Sequence, residues 1–205
     1  MIYLIYNKEE IEINQFSINK YIEGFNKYGI KCQLITTDDY KNATKLPRAV
    51  VNRTNNYKIS TYFEKKGIRV FNNSFVTKIC NNKEETYKYL GKEVKHLELF
   101  DKKDNLSFPF VVKDPTSKGG KDVFLVESKE ELENIYSENM ILQRFLPNAD
   151  DIRTYIIGNE IIMSLKRVSN SGFKANYKIN HKAEIYNLNE DELNLIKTVL
   201  NKFQF

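Results

Sequence analysis

A small parallel α/β unit followed by an α+β unit is the architecture that this sequence predicts. Three observations carry it. The first 75 or so residues alternate short apolar runs with amphipathic helical stretches. Beyond them apolar runs come in adjacent pairs, 108–113 with 123–127 and 151–157 with 160–166. The second pair is joined by Gly158-Asn159, a two-residue turn of hairpin type. Alternation favours parallel strands, and adjacent pairing favours antiparallel ones. The expected division is 1–75 and 76–205.

The elements follow in order. "IYLIY" (2–6) is a short run rich in Ile and Tyr, as a buried strand requires. Ile18, Tyr21, Ile22, Phe25 and Tyr28 then fall at helical spacing, and Gly29 is a natural stop. "KCQLIT" (31–36) and "RAVVN" (48–52) are the next strands. "TNNYKISTYFEKKG" is a helix closed by Gly67, and "IRVFN" (68–72) a fourth strand. "NNSFVTKICNNKEETYKYLG" reads as two short helices, broken near Asn81-Asn82 and stopped at Gly91. In the second unit, Ser128 and Glu131 form a capping box for the helix in "SKEELENIYSE". "MILQRF" (140–145) is a further strand. Asn189 and Glu192 cap a last helix whose apolar face is Leu193, Ile196, Leu200 and Phe203.

Composition narrows the function classes. The chain has 205 residues, 41% apolar and 29% charged, which suits a soluble globular protein of one or two domains. Thirteen Tyr and thirteen Phe supply a core without Trp. The net charge of +5 is spread along the chain, which fits an anionic ligand but not a nucleic-acid face. No aromatic–basic motif of RNP type is present. No apolar run approaches the roughly 20 residues of a membrane span. "MIYLIYNKEE" reads as a strand followed by charge, not a signal peptide. Cys32 and Cys80 are far apart and read as small buried thiols in a cytoplasmic protein. His96 and His181 have no Cys, Asp or Glu at ligand spacing, so neither is given a role.

One stretch, "PFVVKDPTSKGGKDVFLVE" (109–127), invites two readings. It is a hairpin with a soluble lysine-rich tip, or it is a phosphate cradle. In the second reading Lys113 stands at the strand end, and Gly119-Gly120 lets backbone N–H groups close over phosphates.

The order of pieces around this loop resembles the ATP-grasp superfamily, and within it the RimK-like carboxylate–amine ligases of glutamate-ligase type. "NNKEETYKYL" is similar to the family's Asp-Lys-x-x-Thr segment, with Asn82, Lys83 and Thr86 in the three places. Lys113 and Gly119-Gly120 match its strand-ending lysine and glycine loop. Gln143-Arg144-Phe145-Leu146 matches its hinge, with Arg144 where the family has Glu. Asp151-Ile152-Arg153 and Lys174-Ala175-Asn176 follow. The resemblance runs from about residue 70 to the end.

The resemblance implies an ATP-grasp-like fold behind a pre-ATP-grasp domain, and it implies roles. Lys83 and Lys113 would neutralise ATP phosphates under loop 116–121, with Gln143 at the start of the hinge. Main-chain groups of Arg144, Phe145 and Leu146 would meet the adenine edge, and Asp151 the ribose hydroxyls. Arg153, Arg167 and Lys174 would line the phosphoryl-transfer site, and Asn176 would orient phosphate or metal. The reaction would join a small carboxylate or peptide to an amine through an acyl phosphate. Each residue has a plainer reading: Lys83 as helix surface, Gln143 as a sheet-edge cap, Asp151–Arg153 as a cross-strand ion pair, Arg167 and Lys174 as solvated charge.

Mg2+ is expected for such a family, yet its carboxylate ligands, in Asp-x-x-Gly-Val-Asp and Glu-Val-Asn segments, have no counterpart here. Glu184, Glu190, Asp191 and Glu192 do not replace them, the last three being an ordinary acidic helix start. The expectation is therefore a fragment, a degenerate relative, or a chain completed by a second copy or another subunit. The alternative function is a nucleotide-binding or interaction module that does not transfer phosphate.

Overall fold

The computed structural model describes residues 1–94, 96–101, 107–147, 151–167 and 183–203. The chain divides into two compact units, Met1–Asn81 and Asn82–Phe205.

The first unit is built on a parallel sheet. Strands β1 (Ile2–Tyr6), β2 (Cys32–Thr36), β3 (Ala49–Asn52) and β4 (Arg69–Phe71) lie in the order β2-β1-β3-β4. Near-continuous apolar sequence in β1 has the expected cause, since both faces of the strand are covered. Tyr3 and Ile5 join Val50, Ile59, Phe63 and Val70 in one core. Leu4 and Tyr6 point the other way and pack with Ile18. Ile59 and Phe63 come from α2 (Tyr57–Glu64) and Ile18 from α1 (Gln15–Lys27), so each helix seals one face. A third helix, α3 (Ser74–Cys80), starts where the Asn73 side chain accepts the Val76 N–H at 2.8 Å.

A buried polar knot follows β3. Asn52 donates to Ser60 Oγ at 2.9 Å and to the Asn56 carbonyl at 3.2 Å, while its Oδ1 accepts the N–H and hydroxyl of Thr54. Asn52, Thr54 and Ser60 are all buried. Burial is tolerated because each polar group has a partner, and the knot fixes the turn into α2.

The second unit opens with α4 (Lys83–Leu90), capped by Asn82, which accepts from Glu85 N–H at 3.2 Å. Strands β5 (Leu99–Phe100), β6 (Phe110–Lys113), β7 (Val123–Val126) and β8 (Ile141–Arg144) make an antiparallel sheet in the order β5-β8-β6-β7. Alternation along β6 sorts its faces. Phe110 and Val112 join Val126, Leu142 and Leu132 in a core, the last from α5 (Lys129–Ile135). Val111 and Lys113 point to the other face. Strands β9 (Asp151–Ile157), β10 (Glu160–Arg167) and β11 (Ala183–Ile185) form a separate antiparallel sheet. Gly158, at φ +60°, makes the β9–β10 turn that the sequence predicts.

The final helix, α6 (Glu190–Phe203), has the reciprocal cap read from sequence. Asn189 accepts from Glu192 N–H at 2.9 Å, and the Glu192 carboxylate accepts from Asn189 N–H at 2.8 Å. It docks on α4 through Phe203 and Tyr89, whose rings lie 5.0 Å apart. Among the described residues no helix is long and apolar enough to cross a membrane. The two cysteines carry free thiols, Cys32 half-buried and Cys80 exposed.

Candidate functional site

The candidate site lies on the face of the β5–β8 sheet opposite the Phe110–Val112 core. Val111 pairs with Gln143 and Lys113 with Ile141, so Lys113 and Gln143 are diagonal neighbours on one face. Lys113 Nζ donates to Gln143 Oε1 at 2.5 Å. Gln143 Nε2 donates in turn to the Tyr87 hydroxyl at 2.7 Å. The Tyr87 ring lies under the ammonium, its centroid 5.5 Å from Nζ. Lys83 and Tyr87 stand four residues apart and share a face of α4. A helix start, a strand end and a buried amide are thereby brought to one place.

The electrostatics are unusual. Burial and the charge of Lys83 lower the Lys113 pKa from 10.5 to about 8. Lys83 is itself lowered by burial, with Asp114 and Asp122 pulling it back up. Among the described residues no carboxylate pairs with Lys113; its partners are an amide oxygen and an aromatic ring. A desolvated ammonium beside a second cation is a site short of negative charge.

The loop between β6 and β7 is tied at its base. Asp114 N–H donates to the Asp122 carbonyl at 3.1 Å. The Asp114 carboxylate accepts from Thr116 N–H, Thr116 hydroxyl and Ser117 N–H at 2.6, 2.7 and 2.8 Å. Those bonds hold its pKa below the usual carboxylate range. Gly119 and Gly120 follow at φ +72° and +73°, a conformation that L side chains rarely adopt. No atom lies within 4 Å of where a Gly119 Cβ would sit, so dihedral and not space demands glycine there. The Ser117 hydroxyl is buried and has no hydrogen-bond partner among the described residues.

Of the other sequence-predicted residues, Gln143 lies on this face and the rest fall elsewhere. Gln143, only 4% exposed, has both ends of its amide engaged with Lys113 and Tyr87, so it orients the lysine. Arg144 N–H donates to the Glu98 carbonyl at 2.9 Å, and its guanidinium binds the Glu98 carboxylate at 2.5 Å. That amide N–H is therefore engaged with the chain just ahead of β5. Phe145 and Leu146 continue past β8, Leu146 half exposed. On the other sheet Asp151 pairs with Arg167, directly opposite on β10, and not with Arg153. Arg153 is exposed and shares their face of the sheet. Lys174, Asn176 and His181 lie outside the described residues.

Sequence reasoning missed Tyr87, Asp114 and Ser117. It also gave no role to His96, whose ring packs at 4.9 Å on Tyr87. The one available signal was local, Asp114-Pro115-Thr116 being a turn of Asx type.

The donors on this face fit the triphosphate end of a nucleotide: two ammonium groups, a glycine turn and an orphaned hydroxyl. A divalent metal is a different matter. Among the described residues no group of three or more His, Cys, Asp or Glu could hold one.

Residues 77–204 match the family model of the RimK-like ATP-grasp domain. Protein MG011 of Mycoplasma genitalium is 31% identical over 201 residues, covering 89% of this chain and 68% of its own. The crystal structure of a RimK domain protein ATP-grasp from Sphaerobacter thermophilus superposes with a TM-score of 0.71 at 16% identity, over 98% of this chain and 81% of that one. The D-alanine–D-alanine ligase of Bacillus anthracis complexed with ATP gives 0.72 at 18% identity, over 99% and 76%. The mixed α/β architecture is thus that of the ATP-grasp ligases, and the chain belongs to the RimK-like ATP-grasp family.

Proposed function

We propose that this chain binds ATP on the Lys113 face and activates a carboxylate for attack by an amine. One observation carries the reading: Lys113 is a desolvated ammonium that faces another cation and has no carboxylate among the described residues. Such a group opposes its own burial until an anion arrives. Transfer of the ATP γ-phosphoryl group to a carboxylate oxygen releases ADP and forms an acyl phosphate; the amine attacks its carbonyl carbon, which forms the C–N bond and releases inorganic phosphate and a proton.

The chain's own residues position and neutralise. Lys113, steered by Gln143 and Tyr87, meets phosphate oxygens as a point charge. The Gly119-Gly120 turn closes over them and keeps water out. Arg167, aimed by Asp151, and Arg153 beside it supply cationic stabilisation for the transferred group. Two free thiols suit a reducing compartment, and we place the protein in the cytoplasm.

An ATP-dependent hydroxamate assay tests this. Hydroxylamine traps an acyl phosphate formed from a panel of amino acids and dicarboxylates, with and without Mg2+. Hydroxamate that requires both ATP and an acid is the expected result. ATP binding with no hydroxamate from any acid favours the second reading, a nucleotide-binding module without transfer.

A further inference from the structure

We infer that the first unit carries a binding site of its own, a cleft beneath residues 37–48 that takes a small organic dicarboxylate. The inference is independent of the ATP reading.

The cleft exists because a crossover lacks its helix. Parallel strands are ordinarily joined by a helix that seals the sheet beneath it. β2 and β3 lie on either side of β1, and residues 37–48 pass between them as turns, with neither helix nor strand. Tyr40 and Ala43 of this arch pack on the core that Tyr3 and Ile35 share with α2, so the arch crosses the α2 face. It does not fill that face. A cavity of about 620 Å3 remains between arch and sheet, a size that small ligands occupy.

The arch is pinned along its length, so the cleft is preformed. At its start Thr37 N–H donates to the Tyr6 carbonyl at 3.1 Å, and the Thr36 hydroxyl to the Asp39 carboxylate at 2.6 Å. In its middle the Tyr40 ring meets Tyr62 edge to face, with centroids 5.2 Å apart. At its end Arg48 N–H donates to the Met1 carbonyl at 2.9 Å, and the Tyr3 hydroxyl donates to the Lys45 carbonyl. A ligand entering such a cleft has little loop ordering to offset.

Charge and pairing point to the ligand. Gln33 is in register with Tyr3 and shares its face of the sheet. Lys31 and Gln33 line one wall, and Asn42, Thr44 and Lys45 the other. Among the described residues none of these five side chains has a hydrogen bond or an ion pair. The carboxylate of the lining, Asp39, already accepts from Thr36. Each wall thus offers one uncommitted ammonium together with neutral polar groups. A molecule with a carboxylate at each end answers both walls, and its apolar middle lies over Met1, Ile35 and Ala43.

Amide NMR and calorimetry on the whole chain test this, with glutarate, adipate, their uncharged diamides and inorganic sulfate as probes. A diacid shifts the amides of 31–35 and 39–45, and the diamides and sulfate do not. Lys31→Gln and Lys45→Gln together weaken the diacid about tenfold, as the loss of two solvent-exposed ion contacts predicts. Both lysines are exposed, so the fold tolerates the change. Asp39→Asn strengthens binding about two- to threefold, because a repelling charge is gone while an amide oxygen still accepts from Thr36. Lys113→Met binds the diacid as wild type does, which separates this cleft from the ATP face. The inference is overturned by the absence of shifts at 31–45 with either diacid at about 10 mM. Equal binding of a diamide or sulfate overturns it too, as does undiminished affinity in the double lysine variant. Loss of the 31–45 shifts in folded Lys113→Met also ends it, since the diacid would then act from the other unit.

Discussion

Raising the pH through the titration of Lys113 weakens ATP binding. In the free protein burial and Lys83 hold this lysine at about 8 instead of 10.5. A bound triphosphate supplies the missing anion and drives the value back up, so binding and proton uptake are linked. At about pH 7 roughly nine in ten molecules carry the charge, and at about pH 9 roughly one in ten. Affinity therefore drops about tenfold over that interval, and near pH 8 about half a proton enters with each nucleotide. Isothermal titration in two buffers of different ionisation heat measures both quantities. In Lys113→Met the profile is flat and the uptake vanishes. The nucleotide-free protein moves the opposite way. The folded pKa lies below the unfolded one, so between about 8 and 10.5 the unfolded chain holds a proton that the native state has released, and stability rises with pH in that window. A wild-type affinity unchanged from about pH 7 to 9, or the same slope in Lys113→Met, would refute the assignment of the anion to this lysine.

Three substitutions test the frame and the face around the site. Lys113→Met lowers ATP affinity by about a hundredfold and leaves the melting temperature unchanged or higher, because a buried charge is removed; a folded variant with wild-type affinity takes Lys113 out of the account. Asn52→Ala strands the Thr54 and Ser60 groups that it serves, and costs about 2 kcal/mol in a urea titration; an unmoved midpoint means that the knot contributes nothing. Asp151→Asn leaves the Arg167 guanidinium, its side chain 12% exposed, without its anion. The loss is about 1–2 kcal/mol, discounted because Asp151 is itself a third exposed, and a double-mutant cycle with Arg167→Met that gives no coupling would deny the pair.

Much of the fold was legible because its cues are local. Strand and helix in the first unit announce themselves by period, the β9–β10 hairpin by Gly158, and the start of α6 by Asn189 and Glu192. What stayed hidden depends on pairing through space. β5 has two residues and β11 three, too short to show any alternation. Nothing near Tyr87 says that its hydroxyl meets an amide 56 positions on. For Asp151 the sequence offered Arg153, two residues away, but register put Arg167 opposite. The glycine turn and the place of Lys113 at a strand end could be read from local sequence. That Gln143 steers the lysine, and that the Arg144 amide is already taken, could not.

The same distinction explains why two lysines so alike in the sequence differ in the fold. Lys83 opens a helix whose first turn lies against the loop, so its ammonium finds carbonyl dipoles and is satisfied. Lys113 ends a strand with its side chain over a buried face, so it finds an amide, a ring and a repelling neighbour. On the ATP reading the depression of Lys113 favours an anion, since each unit of pKa depression that a phosphate reverses is worth about 1.4 kcal/mol.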